Sequence, residues 1–188
     1  MIKIGITGSI ASGKTTASKI LSFKRGPLFS ADKVVNKFYR NNTFKELLIK
    51  KFNIEKKSNL KATLKNKILK NKNNIKKLEK IIHPMVRKEM KKFTSLHRKK
   101  NIIFYEIPLL IESELMKYFN IIIFIKAKRK LRLKRFKAKG GETRLFNILN
   151  GKQLSDQRKR KFSNHVITNE KNFNILKNNL LGIIKLYA

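Results

Sequence analysis

The sequence predicts an α/β fold, a three-layer domain with a parallel five-stranded sheet between helices. Three observations predict it. Five short apolar runs (Ile2 to Thr7, Leu28 to Ser30, Ile102 to Ile107, Ile121 to Ile125, Val166-Ile167) have strand length. Stretches of helical periodicity separate them, which is the pattern of strands joined by helical crossovers. A glycine-bracketed turn follows the first run, where such sheets carry their ligands.

In chain order, the first strand runs into that turn and then into a helix over Lys14 to about Phe23. Gly26-Pro27 make a turn before the second strand. From Asp32 to Lys100 the pattern is helical and lysine-rich. Leu60, Leu64, Ile68 and Leu69, then Ile75, Leu78, Ile81 and Ile82, recur at spacings of three and four. Pro84 fits the first turn of a helix through Met85, Val86 and Met90. Pro108 ends the third strand. After the fourth strand, helices are expected over Lys128 to Lys139, Glu142 to Leu149 and Ser155 to Phe162, with Gly140-Gly141 breaking the first from the second. Phe173 to Leu186 is the closing helix.

Composition narrows the function classes. The chain has 188 residues, 47 Lys plus Arg against 11 Asp plus Glu, and a formal charge of +36. It has no Cys, which excludes disulfides, thiol nucleophiles and Cys-ligated zinc. The three histidines, His83, His97 and His165, are too dispersed for a His-rich metal cage. No stretch reaches the ~18 apolar residues of a membrane span, and the amino end lacks the long apolar centre of a secretory signal. The expectation is a soluble cytoplasmic monomer. The charge has two readings: an anionic partner such as nucleic acid, or drift toward residues with A/T-rich codons (Lys, Asn, Ile, Phe).

Gly8-Ser9-Ile10-Ala11-Ser12-Gly13-Lys14-Thr15 is a complete G-x-x-x-x-G-K-[ST]. Its glycines let the backbone curl so that successive N–H groups converge on phosphate oxygens. The helix starting near Lys14 turns its positive end to the same anion. Lys14 can reach the β- and γ-phosphates, and the Thr15 hydroxyl can join a Mg²⁺ shell. ATP is therefore expected on Gly8, Ala11, Ser12, Gly13, Lys14, Thr15 and Thr16. No guanine-reading N-K-x-D follows a later strand, so a small-molecule kinase fits better than a GTPase.

Such a kinase needs carboxylates at the strand ends. Asp32 follows the second strand and either receives an acceptor hydroxyl's proton or caps a helix. Glu106 ends the third strand and either holds a Mg²⁺-bound water or pairs with a lysine. Glu112 is a weaker candidate, equally a helix cap or an ion-pair partner. His83 has a plain reading as the residue before a helix-opening proline.

Taken together these residues resemble the dephospho-CoA kinase family. The resemblance runs from Ile4–Gly8 into the cradle, through Ala31-Asp32 and LEKIIHPMVR at Leu78 to Arg87. It continues with EIPLLIE at Glu106 to Glu112, Leu133-Lys134-Arg135, Gln153, Lys159 and Val166 to Asn169. It implies a P-loop kinase fold with a helical CoA-binding insertion and a lid, using ATP and Mg²⁺ to phosphorylate the ribose 3′-hydroxyl of dephospho-CoA. Core segments are then expected at 1–31, 101–127 and 163–188, the CoA-binding region at 32–100 and the lid at 128–162. By the same resemblance Asp32 and Lys14 are catalytic, and His83, Pro108, Leu109 and Leu110 line the acceptor pocket with Asp32. Arg135, Lys139 and Lys159 belong to the lid, Arg135 and Asn169 serve ATP, and Thr15 and Glu106 serve the metal. The chain departs from the family in carrying Ser9 and Ala11 where glycine is common, Ser30 two residues before Asp32 in place of aspartate, and Lys139-Gly140 and Asn164 where the lid commonly has Arg-Asp and Asp. The alternatives are another small-molecule or nucleotide kinase of this fold, and a basic nucleic-acid-binding protein. The first reading expects no specific nucleic-acid or membrane partner.

Overall fold

The computed structural model describes residues 1–187. These form two compact units, one of residues 1–30 with 93–187 and one of residues 31–92.

The first unit is built on five parallel strands, β1 (Ile2–Gly8), β2 (Leu28–Ser30), β3 (Ile102–Glu106), β4 (Ile121–Lys126) and β5 (His165–Thr168), in the order β2-β3-β1-β4-β5. Every pairing is parallel, so each crossover must leave the sheet and return. The sequence reads this way because β3 (IIFYE) and the first five residues of β4 (IIIFI) are buried throughout, as strands covered on both faces must be. The edge strands are short: β2 has three residues and β5 four. Short edges limit unwanted pairing with other chains.

Helix α1 (Lys14–Ser22) buries Ala17 and Leu21 against Ile4, Ile6, Ile102 and Ile123 of the sheet. Leu176, Leu180 and Ile184 of the closing helix, Phe173–Ile184, join the same cluster at a spacing of four. Roughly 2 kcal/mol for each fully buried Leu or Ile makes this core the main stabilising term of the unit. The remaining α-helices of this unit are Arg129–Lys137, Thr143–Gly151 and Asp156–Lys161; the first and third are one or two residues shorter at each end than expected, and the second starts one residue later and ends two residues later.

The second unit is helical: α2 (Ala31–Phe38), α3 (Asn42–Phe52), α4 (Leu60–Lys70) and the greater part of α5 (Asn73–Leu96). Asn41 and Asn59 cap α3 and α4 by accepting the N–H of Phe44 (3.1 Å) and Ala62 (3.2 Å). Phe44, Leu48, Phe52, Ile54 and Leu64 form its core. One expectation fails here. Pro84 does not open a helix but lies inside the 24-residue α5. Its missing N–H leaves the carbonyl of Lys80 without the usual partner, a local cost that the long apolar face of α5 (Leu78, Ile81, Ile82 and Met85 against the core) offsets. The last turn of α5 belongs to the first unit, where Phe93 packs on Phe29 and Tyr105. No described helix is long and apolar enough to cross a membrane.

In chain order, the three later helices of the first unit are α6 (Arg129–Lys137), α7 (Thr143–Gly151) and α8 (Asp156–Lys161), and the closing helix is α9 (Phe173–Ile184).

Candidate active site

The cradle leaves the carboxyl end of β1, the central strand, flanked by β3 and β4. Two glycines are required by geometry. A Cβ on Gly8 would stand 2.5 Å from the Ile125 carbonyl oxygen. Gly13 has φ +96° and would press a Cβ into the Asn169 side-chain amide. Gly13 is the residue just before α1, whose first N–H groups therefore open onto the cradle. Ala11 adopts φ +57°, a left-handed conformation that glycine would take without strain.

The buried Lys14 side chain folds back over the loop and donates from Nζ to the Ser9 carbonyl at 3.1 Å. The Thr15 hydroxyl donates to Glu106 Oε1 at 2.5 Å. Glu106 is only 2% exposed and lies level with Ser30, the last residue of β2. A hydroxyl and a carboxylate at this spacing form a hard-oxygen pair suited to Mg²⁺, which takes few protein ligands and keeps waters and phosphate oxygens. Among the described residues there is no cluster of three or more His, Cys, Asp or Glu.

Asn169 lies under the cradle. Its Nδ2 donates to the Ser12 carbonyl at 2.8 Å, and its own carbonyl accepts from Arg135 Nη1 at 3.1 Å. Pro108 is tied to β1, its carbonyl accepting from the Thr7 hydroxyl at 3.2 Å. Leu109 is half-buried, whereas Leu110 is enclosed in the core over Gly5. Lys139 is exposed. In the helical unit, Asp32 sits in the first turn of α2 rather than at a cap, and is exposed. His83 is half-buried within α5, not at a helix entry.

Other residues of the 112–159 stretch gather behind the cradle, and local sequence reasoning gave them no such place. Gln153 Oε1 accepts the Ile10 N–H at 2.8 Å, and Asp156 Oδ1 accepts the Ser9 hydroxyl at 3.0 Å. Arg132, 5% exposed, donates from Nη1 to the Ile10 carbonyl (3.3 Å) and to Asn150 Oδ1 (2.8 Å), and from Nε to the Ala127 carbonyl (3.0 Å). Burial pushes its guanidinium below the usual range, the Asp156 charge opposes that, and Arg129 adds to it. Glu112 is an ion-pair partner: Lys159 Nζ, with no exposure, lies 2.9 Å from its Oε1, which also accepts the Leu154 N–H at 3.0 Å. The ammonium is off hydrogen-bonding alignment, and Glu112 Oε2 is buried with no donor among the described residues. Lys159 is thus held in the interior.

A central phosphate cradle, a lysine folded over it, and a hydroxyl–carboxylate pair at the end of the adjacent parallel strand define a P-loop kinase of small molecules. Comparison with known proteins narrows this. The dephospho-CoA kinase family model matches residues 2–174. Dephospho-CoA kinase of Bartonella henselae is 30% identical over 97% of this chain and 96% of its own length. That of Fusobacterium nucleatum is 33% identical over 90% of each chain. A protein of Thermus thermophilus with a solved crystal structure superposes with a TM-score of 0.80 at 25% identity, covering 100% of this chain and 98% of its own. The chain belongs to the dephospho-CoA kinase family and is a kinase.

Proposed function

We propose that the chain moves the γ-phosphoryl group of ATP to the ribose 3′-hydroxyl of dephospho-CoA, giving CoA and ADP, the last step of CoA synthesis. The observation that carries this reading is the Thr15–Glu106 pair beside the Lys14 cradle, in a chain whose family match spans residues 2–174.

In this reading the cradle amides and the amino end of α1 bind the phosphates, and Lys14 leaves the Ser9 carbonyl to spread the charge of the transferring group. Asp32 orients the attacking hydroxyl and takes its proton as the new O–P bond forms. His83, Pro108 and Leu109 contact the acceptor, with Leu110 shaping that segment from within the core. Arg135 and Asn169 serve the ATP side, together with Gly8, Ala11, Ser12, Gly13 and Thr16. Thr15 and Glu106 would hold Mg²⁺, which when bound neutralises charge on the β- and γ-phosphates. Residues 128–162 act as the lid that excludes water, and residues 32–100 as the CoA-binding region. The working form is a cytoplasmic monomer with no specific nucleic-acid partner.

The experiment is steady-state turnover of Asp32→Asn. The expected result is a loss of more than ~100-fold in kcat with ATP affinity retained, the scale of a removed general base. Wild-type turnover would refute the base role.

A further inference from the structure

The cradle is gripped from outside its own motif. Both hydrogen-bonding groups of the Ile10 backbone are occupied, the N–H by Gln153 and the carbonyl by Arg132. The neighbouring Ser9 hydroxyl is occupied by Asp156. Each of these bonds spans more than 100 positions in sequence. The next residue, Ala11, is the strained one at φ +57°. Ser9 in turn offers the carbonyl that receives Lys14 Nζ. The loop thus takes its shape at the point where it costs most, one residue from contacts that fix the peptide groups on either side of Ile10.

The gripping segment is itself anchored. The Leu154 N–H and the Lys159 ammonium both reach Glu112 Oε1, so the residues between Gln153 and Asp156 are tied to the segment that follows β3. Ser155 caps α8 by accepting the Arg158 N–H at 3.3 Å, which fixes Asp156 in its first turn. Asp156 also lies close enough to Arg132 to stabilise the buried guanidinium.

We propose that Gln153 and Asp156 are positioning residues for nucleotide binding: they hold Ser9 and Ile10 in the conformation that presents the cradle and aims Lys14. This rests on the reading of the cradle as the ATP site. The α7–α8 connection is then part of the nucleotide site's scaffold, acting without touching the nucleotide.

The test is ATP affinity by calorimetry together with KM for ATP and for dephospho-CoA, on the full-length protein. Gln153→Ala and Asp156→Ala are each expected to weaken ATP about 10-fold, the effect of one hydrogen bond lost at a site that must be preorganised. Their KM for dephospho-CoA is expected to change by less than about 3-fold, since the acceptor side is untouched. Asp156→Asn keeps an acceptor oxygen and is expected to restore ATP affinity. The Ser9→Ala, Asp156→Ala pair is expected to be no worse than Asp156→Ala alone, because with the carboxylate gone the Ser9 hydroxyl has no bond to Asp156 left to lose. Wild-type ATP affinity in folded Gln153→Ala and Asp156→Ala overturns the proposal. So does an equal loss for both substrates, or a failure of Asp156→Asn to rescue. If Gln153→Ala does not fold, the Ser9–Asp156 cycle decides by additivity. A wild-type protein that does not bind ATP refutes the cradle reading itself, and the proposal with it.

Discussion

Thr15 Oγ1 and Glu106 Oε1 stand 2.5 Å apart although 91 positions separate them in sequence. Parallel pairing of β1 with β3 brings them together: Ile6 is level with Glu106, so the turn that leaves β1 passes beside that carboxylate. A hydroxyl at the start of α1 and an acid at a strand end become one site only through the sheet.

Glu106→Gln tests this pair. The amide keeps the shape but loses the charge, and a neutral oxygen is a poorer ligand for a hard divalent cation. Turnover is expected to fall about 100-fold, and the Mg²⁺ concentration giving half-maximal rate to rise. The readout is rate against Mg²⁺ at saturating ATP, and an unchanged Mg²⁺ dependence contradicts the assignment.

Gly13→Ala should be severe. The new Cβ meets the Asn169 amide and sits at φ +96°. Strain and clash together are expected to cost about 2–4 kcal/mol and to abolish ATP binding. Adding Asn169→Ala removes the clash but not the strain, so thermal melting should recover only in part.

Ala11→Gly should go the other way. Glycine takes φ +57° without the Cβ penalty, for a gain of about 1 kcal/mol less some unfolded-state entropy. In a chain of this size that raises Tm by roughly 2–4 °C. Calorimetric melting checks it, and a lower Tm contradicts the strain.

The Glu112–Lys159 pair should show the asymmetry of buried charges. Lys159→Met alone leaves a carboxylate at 11% exposure without its cation, expected to cost about 3–5 kcal/mol. The double change Glu112→Leu, Lys159→Met should cost less than the sum of the singles. Chemical denaturation of the four proteins measures this, and strict additivity denies the coupling.

The strands and the cradle were legible because their signals are local. Covered parallel strands must be apolar almost throughout, as in Ile121 to Ile125, and a phosphate-binding turn needs its glycines, lysine and hydroxyl within eight consecutive residues. At Pro84 the local signal and the fold differ because a proline punctuates locally, whereas the apolar face that keeps α5 intact extends on both sides of it. Gln153, Asp156 and Arg132 carry no local signal. Their partners in the cradle lie more than 100 positions away, and a polar residue in a basic segment reads as solvated until the fold shows what it faces. The resemblance drew attention to Gln153 and Lys159 but not to what they touch. The charge of +36 is a property of the whole chain and points to no site. Any nucleic-acid binding it causes should weaken steeply with salt and survive Lys14→Ala.

The proposed reaction is tested by incubating the purified protein with ATP, Mg²⁺ and dephospho-CoA, and identifying the products by mass and by position of the phosphate. The expected result is one CoA, phosphorylated at the ribose 3′-hydroxyl, for each ADP released, and a loss of more than ~100-fold in Lys14→Ala. ADP release without CoA, or undiminished CoA formation by Lys14→Ala, would contradict it.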